Sequence, residues 1–355
     1  MTSAAERSRR VARGIVIPLQ ALWLLAGCHP HDGRRPTELR GPTMGTIWSV
    51  TIVAGPRGLD AAGRNAIDRD IRDLLARVEG LMSTWDAASE LSQFNSFRST
   101  EPFPVSPDTF EVFRWAVTLA EETGGALDVT VLPLVQAWGF GAGGSESAPA
   151  PDEETLARVR EATGIRHLEL DSDGRWVRKL RPDLECDFSA LAPGYAADRL
   201  AGMLAGRGLA GFLIDVGGEL VARGRNAEGT PWRVAVERPE EEGRRIARVA
   251  LLDDMAIATS GDYRSYREVD GERVAHIIDP RTARPIRHAL ASATVIDTLC
   301  VRADALATAL MVLGPEEGMA LARRLDLAAL LLIRNDQGGF DERATPRFDD
   351  LTRIR

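Results

Sequence analysis

The chain has 355 residues, of which 44% are hydrophobic and 27% charged, and this ordinary composition excludes a disordered or fibrous protein. Its formal net charge of −8 argues against a nucleic-acid-binding protein, which needs a basic surface. Lys179 is the only lysine, so mechanisms that need a lysine elsewhere, such as a P-loop or a Schiff base, are excluded. Neither CxxC nor HExxH occurs, so the common zinc patterns are absent.

The first 27 residues are typical of a cleaved export signal. Four arginines between positions 7 and 13 precede an apolar stretch over 14–26 that is too short to span a membrane. This stretch ends in Leu25-Ala26-Gly27-Cys28, which resembles a bacterial lipobox, in which the cysteine is acylated and becomes the first mature residue. A plain secretory signal with a chance cysteine is the alternative, and the arginines leave Sec or twin-arginine export open.

We therefore expect a lipoprotein signal peptide over 1–27, lipidation of Cys28 and a tether over 28–42. Such an anchor would hold the mature protein on a membrane of the bacterial cell envelope, facing the periplasm. Outside the cytoplasm Cys186 and Cys300 could pair, and two buried thiols are the alternative.

Apolar periodicity predicts the elements of the remaining chain. A strand is predicted over 46–53, followed by helices over 59–82 and 106–122, the second with Ser106 as N-cap and Pro107 at its first position. A loop over 141–152 leads into a short helix over 152–162. Strands then dominate, and helices are predicted among them over 195–205, 303–313 and 315–325. The predicted strands are 167–170, 176–180, 212–215, 219–223, 233–237, 246–251, 276–278, 291–295 and 328–333.

Because helices come in blocks and strands in runs, the order favours an α+β fold over a doubly wound sheet. We expect a single large domain over 43–340, with mixed sheets and flanking helices, and a C-terminal tail over 341–355. The segment 139–144 fits GxGxxG, but prolines follow it where a dinucleotide site needs a helix. The segment 171–174 starts like an EF-hand loop, but Pro182 stands where the last ligand belongs, so a hairpin turn is predicted.

Asp304 and Thr308 lie four residues apart in a predicted helix and therefore share a face. Their neighbours are small or apolar, so the helix is predicted to be buried, and a buried aspartate needs a partner or a metal. The two side chains could help to hold a hard cation, although a capping or hydrogen-bonded aspartate explains the pattern equally well.

Four further segments place glycines or polar residues at the ends of predicted strands. Each segment is more typical of a structural turn than of a catalytic site when taken alone. Together they suggest a polar, glycine-lined cleft for a phosphorylated ligand. The segments are 187–195, 217–218, 256–263 and 276–282.

In chain order, these segments resemble the ApbE family, the FAD:protein FMN transferases. The resemblance covers about 44–333. It is carried by Met44-Gly45-Thr46, Met82 to Trp85, Ser89 to Asn95, Gly125 to Leu134, Trp138 to Gly141, Asp187 to Asp198, Gly217-Gly218, Trp232, Glu237 to Pro239, Ala258 to Arg264, His276 to Pro280 and Ala303 to Thr308.

The resemblance implies an ApbE-like fold and Mg²⁺-dependent transfer of the FMN half of FAD to a threonine of an acceptor protein, with release of AMP. The implied acceptor is an exported or membrane-bound redox protein. Carried over residue by residue, it assigns Mg²⁺ to Asp304, Thr308 and the backbone oxygen of Ala190, and it makes His276 the candidate base for the threonine proton. It lines the FAD site with Met44, Trp85, Ala126, Leu127, Asp128, Asp187, Pro193 and Ile278.

Two positions depart from the family pattern. Ser189 to Pro193 stands where a glycine-rich run with a charged residue is usual, and Ala283 replaces a common glycine. Two other functions fit the same residues: an Mg²⁺-dependent FAD pyrophosphatase that gives FMN and AMP, and a non-catalytic flavin-binding lipoprotein.

Overall fold

Seventeen strands and eight α-helices occur in the part of the chain that this computed structural model describes, which is residues 36–55, 58–142, 144, 149–240, 245–262, 266–269 and 272–352. The strands are β1 (Thr37–Thr43), β2 (Thr46–Val53), β3 (Phe103–Pro104), β4 (Leu168–Asp171), β5 (Trp176–Lys179), β6 (Gly211–Val216), β7 (Glu219–Arg223), β8 (Trp232–Glu237), β9 (Ile246–Leu252), β10 (Ala256–Gly261), β11 (Tyr266–Val269), β12 (Glu272–Ala275), β13 (Ile278–Asp279), β14 (Arg284–Pro285), β15 (Leu290–Asp297), β16 (Ala328–Arg334) and β17 (Phe340–Ala344). The helices are α1 (Ala61–Met82), α2 (Glu90–Ser96), α3 (Pro107–Glu122), α4 (Leu132–Ala137), α5 (Glu153–Ala162), α6 (Ala192–Gly206), α7 (Cys300–Arg324) and α8 (Pro346–Thr352).

The central element is an eight-stranded sheet in the order β1-β2-β6-β7-β10-β15-β16-β17. Every neighbouring pair in it is antiparallel. A three-stranded sheet, β3-β5-β4, and three separate strand pairs, β8-β9, β11-β12 and β13-β14, complete the strands. This antiparallel architecture with flanking helices confirms the predicted α+β fold.

Both faces of the central sheet are buried. In β16, Ala329, Leu331 and Ile333 pack into the larger core together with side chains of α1, α6 and α7. Leu330 and Leu332 point to the other face, into a second core that includes the β8-β9 pair and Phe348 of α8. Because successive side chains of a strand alternate between faces, a strand covered on both sides needs an unbroken apolar run, as β16 has.

Local signals placed several elements correctly. Strands 46–53 and 219–223 have the predicted bounds, and α3 begins at Pro107 with Ser106 as N-cap, its hydroxyl accepting from Thr109 N–H. The turn over 171–174 joins β4 to β5 as a hairpin, as predicted. Cys186 and Cys300 are both free, buried thiols, and burial raises the pKa of each.

Both predicted domain boundaries need correction. Residues 37–42, assigned to the tether, belong to β1 at the edge of the main sheet, where Leu39 is the buried contact. Residues 341–352, assigned to the tail, contribute β17 and α8, and Phe348 is fully buried. Each segment lies at the periphery of the fold and therefore needs few apolar residues. A linker is also poor in apolar residues, so the sequence pattern did not distinguish these segments from linkers. The signal peptide, Cys28 and residues 28–35 lie outside the described residues.

The helices predicted over 303–313 and 315–325 are confirmed as two helical segments of α7, separated at Gly314, whose φ of 76° and ψ of −173° are not helical. Pro315 has no N–H, so the carbonyl of Met311 lacks its usual donor four residues on. His288 Nε2 lies 2.8 Å from that oxygen and supplies the hydrogen bond instead. Among the described residues α7 is the one helix long and apolar enough to cross a membrane, and it is mostly buried in the core.

Candidate active site

A cavity of about 390 Å³ lies between the β1-β2 turn, the C-terminal end of α1 and the N-terminal end of α6. Met44, Trp85 and Pro193, which the resemblance assigned to the FAD site, line it together. Ser189 lies in the same wall as Pro193, so the unusual run before Gly194 borders the cavity directly. The volume is within the range of small-molecule sites.

Met44 and Gly45 form the two-residue turn between β1 and β2, since Thr43 pairs with Thr46. Their φ angles are 47° and 69°, both in the left-handed region that such a turn requires and that Asn-Gly or Asp-Gly usually occupies. A left-handed conformation costs a residue with a Cβ roughly 1–2 kcal/mol. A strained methionine in a cavity wall points to a functional constraint on its side chain.

Trp85 follows α1, in a turn where Ser83 Oγ accepts from the N–H groups of Trp85 and Asp86 at 3.1 and 3.2 Å. Its side chain is 75% exposed, the largest exposed fraction among the big apolar side chains of the described residues. An exposed indole at the mouth of a cavity can stack on a planar ring such as a flavin or an adenine.

The opposite wall is the segment that leads into α6. Asp187 accepts from the N–H and the hydroxyl of Ser189, at 2.8 and 2.5 Å, and its own N–H donates to Val129 O at 2.7 Å. This last bond places 126–128 directly behind the wall. Ala126, Leu127 and Asp128 are all buried there.

The carboxylate of Asp128 is engaged within the protein. Oδ1 accepts from the N–H and the hydroxyl of Thr130, and Oδ2 accepts from Ile165 N–H at 2.9 Å. Its side chain therefore fixes the local backbone, and the segment 126–128 is not among the described residues that line the cavity.

Asp304, in the first turns of α7, accepts from Gly194 N–H of α6 at 3.1 Å and is 5% exposed. Burial raises the pKa of Asp304 to about 7, the bond from Gly194 opposes this, and the like charge of Asp198 adds to it. Thr308, one turn further, shares a hydrogen bond of 2.9 Å with Ser260 Oγ at the end of β10. The aspartate is thus hydrogen-bonded, as one of the two sequence interpretations expects, and its role as a metal ligand stays a prediction.

Ala190 lies just before the N-terminus of α6. Gly194 is the third residue of this helix, and N–H groups in the first turn of a helix have no carbonyl partner within it. The carboxylate of Asp304 satisfies the Gly194 N–H and so caps α6 close to Ala190 in the sequence.

The donor set fits a hard cation. A carboxylate, a peptide carbonyl and a hydroxyl are oxygen ligands, as Mg²⁺ prefers, and Mg²⁺ sites commonly use one or two carboxylates together with substrate phosphates. Within the described ranges no three His, Cys, Asp or Glu side chains are grouped to hold a metal. One carboxylate with neutral oxygens therefore suits a metal that the phosphates of a ligand help to hold.

His276 and Ile278 lie apart from the residues that line the cavity. His276 follows β12, and Ile278 in β13 is buried in a small core with Trp138 and Ala283. Trp138 Nε1 donates to Ala283 O at 2.9 Å, and buried Arg267 of β11 donates to Trp138 O at 2.7 Å. Neither His276 nor Ile278 lines the cavity, although Ile277 between them packs into the main core.

Ala283, the position of the common family glycine, has a φ of 60°. The turn is nevertheless tight, since the Ala283 N–H donates to Asp279 O at 2.9 Å. The chain therefore keeps a left-handed turn here with a residue that has a Cβ.

The sequence reasoning did not identify two polar residues next to the cavity. Glu79 lines it on α1, on the same helical face as buried Leu75 and Met82, and a carboxylate on an apolar face is a readable signal. Asn95 holds the Asp187 segment from behind, and no spacing in the sequence indicates this contact.

Asp215, just before Gly217-Gly218, is 4% exposed and accepts from Gly218 N–H at 2.9 Å. Burial raises its pKa to about 7. A carboxyl group with a raised folded pKa binds more protons in the folded state, so its contribution to stability is present below the unfolded pKa near 4 and is lost as the pH rises through 7.

Asp215→Asn should therefore be more stable than the wild type at pH 8, and the difference should vanish towards pH 4. Asparagine keeps the acceptor for Gly218 N–H but has no charge to bury. Denaturant unfolding of both proteins between pH 4 and pH 8 measures this. A stability difference that does not change with pH would contradict the raised pKa.

Comparison with known proteins identifies the family of this chain. The ApbE family model matches residues 44–331. The FAD:protein FMN transferase of Vibrio cholerae is 42% identical over 95% of this chain and 98% of its own length, and that of Escherichia coli K12 is 39% identical over 88% of each. The structure of the flavin transferase ApbE from Vibrio cholerae has a TM-score of 0.80 at 40% identity, covering 90% of this chain and 99% of that one. The apo flavinyl transferase ApbE of Pseudomonas stutzeri has a TM-score of 0.81 at 36% identity, covering 90% and 97%. This chain belongs to the ApbE family.

Proposed function

We propose that this protein transfers the FMN moiety of FAD to a threonine of an acceptor protein in an Mg²⁺-dependent reaction, and that it acts as a lipoprotein of the bacterial cell envelope. Transfer of FMN from FAD to an acceptor protein is its activity, since relatives that it matches over almost their whole length carry that activity. The metal, the threonine and the anchor are the finer parts of the proposal.

The observation that carries the finer chemistry is the meeting of three features at the start of α6. The cavity wall at Ser189 and Pro193 and the backbone of Ala190 lie within a few residues of Gly194, and the N–H of Gly194 donates to the carboxylate of Asp304. FAD placed here would have its diphosphate at this helix end and a planar ring near Trp85.

Asp304, Thr308 and Ala190 would hold Mg²⁺ against the diphosphate. Bound there, the ion would supply positive charge to the oxygens of the reacting phosphate and of the leaving group. The chain itself would bind FAD in the cavity and hold the reacting phosphate near the start of α6.

In the transfer the threonine oxygen bonds to the phosphorus of the FMN half, and the bond from that phosphorus to the oxygen of AMP breaks. The threonine proton must leave as the new bond forms. His276 is the proposed acceptor, because a neutral imidazole can take a proton at neutral pH. Water in place of threonine would give FMN and AMP, which is the pyrophosphatase reaction.

Asp304→Asn should weaken Mg²⁺ binding and largely abolish FMN transfer while the fold survives. Asparagine can still accept from Gly194 N–H, but it removes the anionic ligand. Isothermal titration with Mg²⁺, with FAD present, and thermal unfolding measure the two effects. Asp215→Asn is the matched control, because that buried carboxylate also accepts from a glycine N–H but lies in β6. If the Asp304→Asn variant transfers FMN at the wild-type rate when Mg²⁺ is limiting, the metal assignment is wrong.

His276→Ala should slow transfer about 10²–10⁴-fold and leave FAD affinity near normal, because a general base acts in the chemical step. Flavin fluorescence titration gives the affinity. Mass spectrometry of a co-produced exported redox protein, followed over time, gives the threonine-linked FMN. A variant that binds FAD and transfers at the wild-type rate excludes the base role, and free FMN formed without acceptor supports the pyrophosphatase.

Cys28→Ser should release the protein from the membrane, because it removes the proposed site of acylation. The motivating feature is the Leu25-Ala26-Gly27-Cys28 sequence after the apolar signal stretch. Fractionation of cells that produce each protein, followed by intact mass measurement of the mature chain, tests this. Unchanged membrane association of the variant would count against the lipobox.

A further inference from the structure

The short helix α2 touches both walls of the cavity without lining it. At its N-terminal end, the hydroxyl groups of Ser89 and Ser92 donate to Ser83 O at 2.5 and 3.1 Å. Ser83 lines the cavity, and its own hydroxyl holds the turn that carries Trp85. The N-terminal end of α2 is therefore tied to the wall that presents the exposed indole.

The C-terminal end of α2 is tied to the opposite wall through Asn95, which is 7% exposed. Its side-chain amide donates to Cys186 O and accepts from Cys186 N–H, both at 2.8 Å. This pair satisfies both backbone groups of the residue that immediately precedes Asp187. The segment that leads to Ser189 and Ala190 thus starts from a point held by Asn95.

The helix between these two ends is held firmly. Phe94 is fully buried, and its ring packs edge-on against Phe113 with centroids 5.2 Å apart. Lys179, the only lysine, donates to Asn95 O and Phe97 O, both at 3.0 Å, and so caps the C-terminus of the helix. The helix can therefore transmit a displacement from one end to the other.

We infer that α2 is a brace that sets the width of the cavity, and that Ser89 and Asn95 are positioning residues for FAD. The inference rests on the proposed function, because the cavity is the one assigned to FAD. Neither residue touches the ligand in this arrangement. Ser89 holds the wall that carries Trp85, and Asn95 holds the wall that leads to Ala190. Together they set a distance between the two walls at which both can contact one FAD molecule.

The test compares Ser89→Ala, Asn95→Ala and the double variant in the full chain. Each single variant should weaken FAD binding about tenfold at saturating Mg²⁺, as expected when one or two hydrogen bonds that place a wall are lost. The double variant should lose far less than a hundredfold in FAD affinity. Once α2 is released from one wall, its release from the other wall should have little further effect. Flavin fluorescence titration gives the affinities. If the losses of binding free energy in the two single variants add up in the double variant, α2 does not act as a brace.

Asn226→Ala is the matched control. Asn226 is also 7% exposed, and its amide group holds the turn before β8, accepting from the N–H groups of Glu228 and Thr230 at 3.1 and 3.0 Å. This variant should lose thermal stability as Asn95→Ala does and yet keep wild-type FAD affinity. An equal loss of FAD affinity in Asn226→Ala would show that general destabilisation explains the effect, and would overturn the assignment of Asn95.

Hydrogen exchange of the protein without FAD and Mg²⁺ separates this inference from the proposed function. Asn95→Ala should speed the exchange of the amides of 85–86 as well as those of 187–192, although Asn95 bonds only to the second wall. Faster exchange confined to 186–192 would overturn the brace. Ser92→Ala, which removes a single bond to Ser83 O, provides the same readout if Asn95→Ala does not fold.

Discussion

The close approach of α6 and α7 is the contact on which the candidate site depends. Each helix supplies a carboxylate to the N-terminus of the other: Asp198 of α6 accepts from the N–H groups of Cys300 and Val301, and Asp304 of α7 accepts from Gly194 N–H. A Cβ on Gly194 would lie 2.7 Å from Cys300 O, so only glycine permits this approach. The unpaired N–H groups and the positive dipole end of each helix explain why both partners are acidic.

This reciprocal capping also accounts for the chemistry that the site offers. Burial raises the pKa of Asp198 to about 6 and of Asp304 to about 7, and the two like charges lie near one another. A buried carboxylate with so few donors has spare capacity for a cation. The bond that caps α6 also fixes Asp304, a proposed metal ligand, at the end of α6 that follows Ala190 in the sequence.

The central sheet positions parts of the site that come from distant points of the sequence. Both of its faces are buried, so its strands cannot slide without exposing one core or the other. The β1-β2 turn with Met44 projects from one end of the sheet, and β10 brings Ser260 to Thr308. His276 lies between β12 and β13, where Ile277 packs into the main core and Ile278 into the small core around Trp138.

The sequence by itself determined the features that depend on neighbouring residues. The Ser106-Pro107 start of α3, the common face of Asp304 and Thr308 and the α+β order all follow from periodicity and capping, and family motifs supplied the site residues. Only the tertiary structure decided that β1 and α8 belong to the fold, because a peripheral element needs only one or two buried residues and leaves a weak pattern. It also decided the bonds from Asn95 to Cys186 and from Gly194 to Asp304, which join residues 91 and 110 positions apart. Such bonds leave no periodic trace, since a hydrogen bond between distant segments depends on how whole elements pack.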